Sequence, residues 1–297
     1  MGSQFRLVFY AASDSLAQAA ARKVFNHLEY LNVVMSDYLD GSELNRLCAL
    51  SGNGYWVRTS PVLFSVLDSA RNISGQTDGI FDVTIGAVTQ VWRKASRQGR
   101  FPERTAIRRA VRRTGYRWLE IDRDHHLVRL KKSGMRLDLG GIGKGFAADE
   151  GIRILKEMNI GAAMVDAGGD LALSGPPPGE KGWKISVSSG TDASDDEVLL
   201  LADCGVATSG ATYRYIMHKG KKYSHIMDPR TGIGLTRAIR ATVIAPNGTR
   251  ADAMSKLVSV LSIKKSRKIL AHFPDVKVKL QETDLKTGKI SNWQNRE

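Results

Sequence analysis

Residues 135–158 read MRLDLGGIGKGFAADEGIRILKEM, which predicts a strand over MRLDL, a glycine-rich turn, and a helix opening at its end. Working outward, the segments AAMVDAGGDLALSG, WKISVSS, EVLLLADCGVATSG and IRATVIAP are strand-like, while ADAMSKLVSVLS and IKKSRKILAHF are helical. Upstream, WLEID and HLVRLKK form two strands joined by a turn around Asp122 to Asp124. Residues 13–34 predict a helix, capped by Ser13 or Asp14, with Leu16, Ala20, Val24, Leu28 and Leu31 at helical spacing. Ser60-Pro61 opens another through about Ser74, with proline in the first turn, where its missing N–H is not needed. Strands and helices mix without regular βαβ alternation, so the expectation is an α+β fold of mixed or antiparallel sheets with packed helices, in a single domain over residues 1–297.

Composition narrows the function. With 297 residues, 42% hydrophobic and 25% charged, the chain can bury a sizeable core and is not of the disordered class. Its two cysteines, Cys48 and Cys204, sit in no CxxC or Cys/His spacing, which excludes a disulfide framework and a structural zinc site. No apolar run approaches the ~20 residues of a spanning helix. The opening MGSQFRLVFYAASDS lacks the basic and apolar regions of a secretory signal. Of the formal charge of +14, most is concentrated in residues 93–132, which hold 14 Lys and Arg against 4 Asp and Glu. There TAIRRAVRRTGY sets Ile107, Ala110 and Val111 on one helical stripe and Arg108, Arg109, Arg112 and Arg113 off it, a solvated basic face. No nucleic-acid-binding module or interleaved aromatics accompany it, so no nucleic-acid partner is expected.

Five short motifs carry the chemistry. In Asp138-Leu139-Gly140-Gly141-Ile142-Gly143-Lys144-Gly145 the backbone can approach a ligand closely, the helix N-terminus offers N–H groups to phosphate, and Lys144 adds a charge. Its spacing is neither a Walker loop nor GxGxxG, and a ligand-free tight turn is the plainer reading of it alone. Val165-Asp166-Ala167-Gly168-Gly169-Asp170 and Ala207-Thr208-Ser209-Gly210 each read as turns in isolation. Ser224-His225-Ile226-Met227-Asp228-Pro229-Arg230-Thr231-Gly232 packs a His, an Asp and an Arg around a proline-fixed turn, for which an Asx-type turn is the simpler account. In Arg250-Ala251-Asp252-Ala253-Met254-Ser255-Lys256, at a helix start, Asp252 suits a cap or a hard-metal ligand.

In this order, together with Met35-Ser36-Asp37-Tyr38, Ser42-Glu43-Leu44 and Gly79-Ile80-Phe81-Asp82-Val83-Thr84-Ile85-Gly86, these motifs resemble the ApbE family, the FAD:protein FMN transferases. The shared patterns are MSxYxxxSEL, GxFDxTxG, DLGxIxKGxAxD, VxxGGD, TSG, SHIxDPxTG and ADAxxT, over residues 30–265. The resemblance implies binding of FAD with Mg²⁺ and transfer of FMN to a Thr or Ser hydroxyl of an acceptor flavoprotein, with release of AMP. By the same resemblance Met35, Phe81, Asp82, Asp138, Lys144 and His225 line the FAD site. His225 is the candidate acid/base, with Asp228 and Thr231 shaping its turn. If a native export signal has been removed from the start, the resemblance also implies a location at the periplasmic side of the inner membrane, with the basic face suited to peripheral contact with an anionic membrane or an acidic acceptor.

The metal position departs from the family pattern. The resemblance implies ligation by a carbonyl of the glycine turn, here Gly141, by Asp252, and by a Thr four residues on, where this chain has Lys256. On a helix those two positions share a face, and an ammonium cannot ligate a hard cation. Either Lys256 takes the metal's place on the pyrophosphate, leaving an FAD-binding protein with weak or no transferase activity, or it swings aside and Ser255 or water completes the shell. Ser209-Gly210-Ala211-Thr212 matches the core of the acceptor sequence that such transferases modify, which raises self-flavinylation at Thr212 beside its reading as the TSG turn.

Overall fold

The computed structural model describes residues 3–187, 197–210, 215–283 and 290–295; Thr212 lies outside them. Chain contacts divide the protein into two compact units, one of residues 1–31, 142–209 and 239–297, the other of residues 32–141 and 210–238.

The first unit is built on a seven-stranded sheet. Strand β1 (Phe5–Phe9) precedes helix α1 (Asp14–Met35), which enters this unit with Ala20, Val24, Leu28 and Leu31 buried, the stripe expected from their spacing. Its start is fixed by Ser13, whose Oγ accepts the Leu16 N–H at 3.3 Å. The sheet runs β1, β5 (Ala163–Ala167), β6 (Leu171–Leu173), β9 (Cys204–Gly210), β14 (Ala238–Ala245), β15 (Lys277–Thr283) and β16 (Ile290–Gln294). The pairs β1/β5, β5/β6, β6/β9 and β15/β16 are antiparallel. A separate antiparallel pair, β7 (Trp183–Val187) and β8 (Glu197–Leu201), buries Trp183, Ile185 and Val187 with Leu173 and Val206.

Helices α6 (Gly143–Glu157), α7 (Gly248–Val260) and α8 (Ile263–Leu270) complete this unit. α6 packs on β5 through Gly151, where an added Cβ would already meet Val165 at 3.1 Å and Val24 at 3.4 Å. α6 and α7 approach more closely still. A Cβ on Gly145 would lie 2.0 Å from the Gly248 carbonyl oxygen, so only glycine permits this crossing.

In the second unit, α2 (Glu43–Ala49) and α3 (Pro61–Gln76) are capped by Ser42 and Ser60, and Glu43 Oε1 also accepts the Ser60 N–H at 2.6 Å. A three-stranded antiparallel sheet runs β2 (Val57–Arg58), β4 (Leu127–Leu130), β3 (Leu119–Asp122), with the expected turn between the last two. Helices α4 (Gly86–Arg97) and α5 (Arg104–Val111) bury Val88, Trp92, Ile107 and Ala110 together and leave Arg108, Arg109, Arg112 and Arg113 exposed, as the helical stripe predicts. Two small hairpins follow: β10 (Tyr215–His218) with β11 (Lys221–Ser224), and β12 (Met227–Asp228) with β13 (Ile233–Gly234).

The fold is α+β with antiparallel sheets, as read from the sequence, but MRLDL is not a strand. It makes an isolated bridge between Arg136 and Ile85, and the Asp138 N–H donates to the Val83 carbonyl at 2.8 Å. The segment beside it turns directly into α4 at Gly86, which leaves no length to pair with. The Leu137 N–H is met instead by Cys48 Sγ at 3.3 Å.

Candidate functional site

In the first unit, four charged side chains gather where α6 begins. Asp252, on α7, is fully buried, with 0% exposure, and its Oδ2 accepts the N–H of Gly145 in the first turn of α6 at 3.1 Å. A carboxylate from one helix therefore caps another, in a region of positive helix-end potential. One N–H of the helix start expected to face phosphate is thus taken by the protein itself. Lys256 Nζ donates to Asp252 Oδ1 at 2.9 Å and to Ser255 Oγ at 3.1 Å, while Lys144 Nζ lies 3.9 Å from Asp252 Oδ2 and donates to Asp170. Burial opposes ionisation of Asp252, but the attraction of Lys256 and Lys144, with the Lys256 and Gly145 hydrogen bonds, outweighs it and holds the carboxyl below its ordinary range.

Asp149 holds the helix that carries this cluster. Its Oδ1 accepts the Gly248 N–H and its Oδ2 the Thr249 N–H, both at 2.7 Å, at the N-terminus of α7. Asn247 adds a cap of its own, accepting the Arg250 N–H at 2.8 Å. Asp149 and Asp170 are the closing residues of two motifs quoted above, DLGxIxKGxAxD and VxxGGD, and neither is among the site residues expected from the sequence. Their place as the last fixed letter of each pattern was the available signal.

The residues of the first unit do not fit the divalent cation that the resemblance implies. Both oxygens of Asp252 are occupied, one by an ammonium and one by a backbone N–H. Ser255 Oγ donates to the Asp252 backbone carbonyl at 2.8 Å and accepts from Lys256, so it points into its own helix rather than toward a ligand. Lys256 has not swung aside. Two unit charges 4 Å apart at a partly buried site interact by about 4 kcal/mol, and a divalent ion doubles that repulsion for each ammonium it faces. Gly141, the remaining expected ligand, ends a segment of the second unit.

The second unit holds its own polar cluster. Arg93 on α4 pairs with Asp37 and, at 3.3 Å, with Asp138, and its guanidinium stacks 4.1 Å from the centre of the Tyr38 ring. Asp138 Oδ1 also accepts the Gly140 N–H at 2.8 Å, which shapes the glycine turn. Burial, followed by the neighbouring charge of Asp138, raises the Asp37 carboxyl in spite of Arg93. Arg93 was not singled out in the sequence, since nothing local links it to Asp37 and Asp138. Met35 and Phe81 are buried. Asp82 is spent on structure: Oδ1 accepts the N–H and hydroxyl of Thr84 at 2.8 and 2.7 Å, and Oδ2 accepts the Tyr116 N–H at 2.8 Å.

His225 is exposed just after β11, on the stretch leading into the hairpin Asp228-Pro229-Arg230-Thr231-Gly232. That hairpin is the Asx turn expected of it. Asp228 Oδ1 accepts the Arg230 N–H at 3.0 Å, and the Thr231 and Gly232 N–H groups reach the Asp228 carbonyl at 3.2 and 2.8 Å. Trp92 Nε1 donates to the Gly232 carbonyl at 2.8 Å and ties the loop to α4. Gly232 has φ of +67°, and a Cβ there would meet Val111 at 2.6 Å. The structure thus brings Lys144 to Asp252 and Asp170, sets Ser255 beside Lys256, and separately fixes Asp138 and the His225 hairpin within the second unit.

A glycine-opened helix whose end is held by a cross-helix carboxylate and flanked by two lysines defines an α+β protein with a charge cluster suited to a phosphate-bearing ligand. The chain belongs to the ApbE family, whose model matches residues 1–280. A relative from Treponema pallidum, named FAD:protein FMN transferase, is 31% identical over 274 residues, covering 87% of this chain and 75% of its own. One of the same name from Salmonella typhimurium is 28% identical over 278 residues, covering 91% and 79%. The crystal structure of the ApbE protein from Thermotoga maritima matches with a TM-score of 0.84 at 29% identity, over 98% of this chain and 93% of that one. The apo flavinyl transferase ApbE of Pseudomonas stutzeri shares the fold, with a TM-score of 0.88 at 23% identity, over 100% and 92%.

Proposed function

We infer that this chain is a transferase that moves FMN from FAD onto an acceptor flavoprotein and releases AMP. The observation that carries this is the family match over nearly the whole chain, with relatives named for that activity. The charge cluster supports it, because cleaving a pyrophosphate calls for fixed cations near the phosphates. In this reading a Thr or Ser hydroxyl of the acceptor forms a bond to the FMN phosphorus as the P–O bond to AMP breaks. The hydroxyl proton passes to His225, the assigned acid/base, and Lys144 steadies the phosphate charge. By the resemblance the chain itself works at the periplasmic side of the inner membrane, where the basic face of α5 suits an acidic acceptor or an anionic surface.

The test is AMP release from FAD, with the flavin followed onto a Thr- or Ser-bearing acceptor by in-gel fluorescence. AMP and a fluorescent acceptor band are expected, and both are expected to fall at least a hundredfold in His225→Ala. FAD that stays bound and intact, with the acceptor dark, would instead establish the second reading, a protein that holds FAD without turning it over. The seat of Lys256 on Asp252 is the observation that favours that alternative. Self-modification at Thr212 predicts added FMN mass on the chain itself after incubation with FAD, and an unchanged intact mass refutes it.

A further inference from the structure

We propose that Lys256 is a tethered cation standing in for a divalent metal, so that this chain binds the diphosphate of FAD without one. The proposal rests on FAD being the ligand of the charge cluster. Lys144, Asp170, Asp252 and Lys256 sum to zero charge in this chain. With a neutral residue at 256 the same cluster would carry a net negative charge at a site meant for an anion, and only an added cation would correct it. Here the correction is covalent.

Geometry supports the same conclusion. Asp252 is four residues before Lys256 on α7, so the helix puts the ammonium within reach of the carboxylate, and full burial of Asp252 leaves it no water to turn to. An ammonium has three N–H donors. Lys256 spends one on Asp252 and one on Ser255, while its side chain keeps 23% exposure, so the third donor remains for a phosphate oxygen at the solvent side. Lys144, equally exposed and held by Asp170, supplies a second cation from the start of α6. The resulting grip uses two point charges in place of a bridging ion.

The test measures FAD binding to the purified chain by flavin fluorescence, in EDTA and in excess MgCl₂, alongside Lys256→Thr and Lys256→Arg. The unaltered chain is expected to bind FAD equally, within twofold, in both buffers. Lys256→Thr is expected to bind at least tenfold tighter with Mg²⁺ than with EDTA, and Lys256→Arg to stay indifferent to it. As an independent readout, Mn²⁺ added to the FAD-free protein is expected to keep its free-ion paramagnetic resonance signal with the unaltered chain and to lose part of it with Lys256→Thr. Binding by the unaltered chain that is tenfold tighter in Mg²⁺, or its uptake of Mn²⁺, overturns the proposal and leaves the FAD reading intact. Failure to bind FAD in either buffer overturns the FAD reading, and the proposal with it.

Discussion

Lys256 Nζ lies 2.9 Å from Asp252 Oδ1, one turn further along α7, and the Asp252 oxygen on the other side receives the Gly145 N–H at the start of α6. This pair joins two helices and sets the charge of the cluster. It also gives stability a pH dependence. A carboxyl held below its unfolded value of 3.8 contributes stability that is fully present above that value and lost as pH falls through the native one. Urea unfolding between pH 6 and pH 2.5 is expected to show this loss in the unaltered chain. Asp252→Asn is expected to cost about 3 kcal/mol at pH 7, because it strands a half-buried ammonium, and to flatten the acid limb. An equally steep acid limb in the variant would show that other carboxylates carry it.

Gly145→Ala places a methyl group 2.0 Å from the Gly248 carbonyl oxygen and 2.9 Å from Asp252 Cβ. Neither neighbour is the free end of a flexible chain, so the helices must separate. A loss of about 3 kcal/mol or more in the urea midpoint is expected. Gly161→Ala, where a Cβ meets nothing within 4 Å, is the matched control and should stay within about 0.5 kcal/mol.

Arg93→Met leaves Asp37 and Asp138 facing each other without their shared cation. A cost of about 3 kcal/mol at pH 7 follows from stranding partly buried carboxylates. The Asp37 carboxyl is already raised by burial and then by Asp138, and losing Arg93 raises it further. A group whose native value is raised binds more protons folded than unfolded, so the variant's deficit should shrink as pH falls from 7 into the acid range. Parallel stability curves for the two proteins across that range would refute the coupling.

Burial, with the charge of Asp203 adding, pushes the Cys204 thiol up to about 11, and burial also raises Cys48. At pH 8 roughly one Cys204 in a thousand is thiolate. Reaction of the native protein with Ellman's reagent at pH 8 is expected to run at least a hundredfold slower than in urea. Rapid uptake of one equivalent by the folded chain would contradict this.

The helices of this fold were legible because their determinants are local. Ser60 and Pro61 start α3, and the stripe of Ala20, Val24, Leu28 and Leu31 defines α1, within a few residues of chain. The same holds for the Asp228 to Gly232 hairpin, whose hydrogen bonds close over two to four residues. MRLDL alternates like a strand and is none, because alternation alone does not create a partner strand, and the chain beside it goes into a helix. Arg93, Asp149 and Asp170 acquire their roles from partners 26 to 100 residues away, which no spacing rule reaches.

The sequence by itself determined the family motifs, the α+β class, and that Lys256 shares a helix face with Asp252, since a period of 3.6 residues fixes that face. Whether Lys256 stands on Asp252 or turns away was decided only by the tertiary structure. Gly145 and Gly248 let α6 and α7 approach until Asp252 is sealed from water. A sealed carboxylate must be paired, and the cation that its own helix sets on the same face is Lys256.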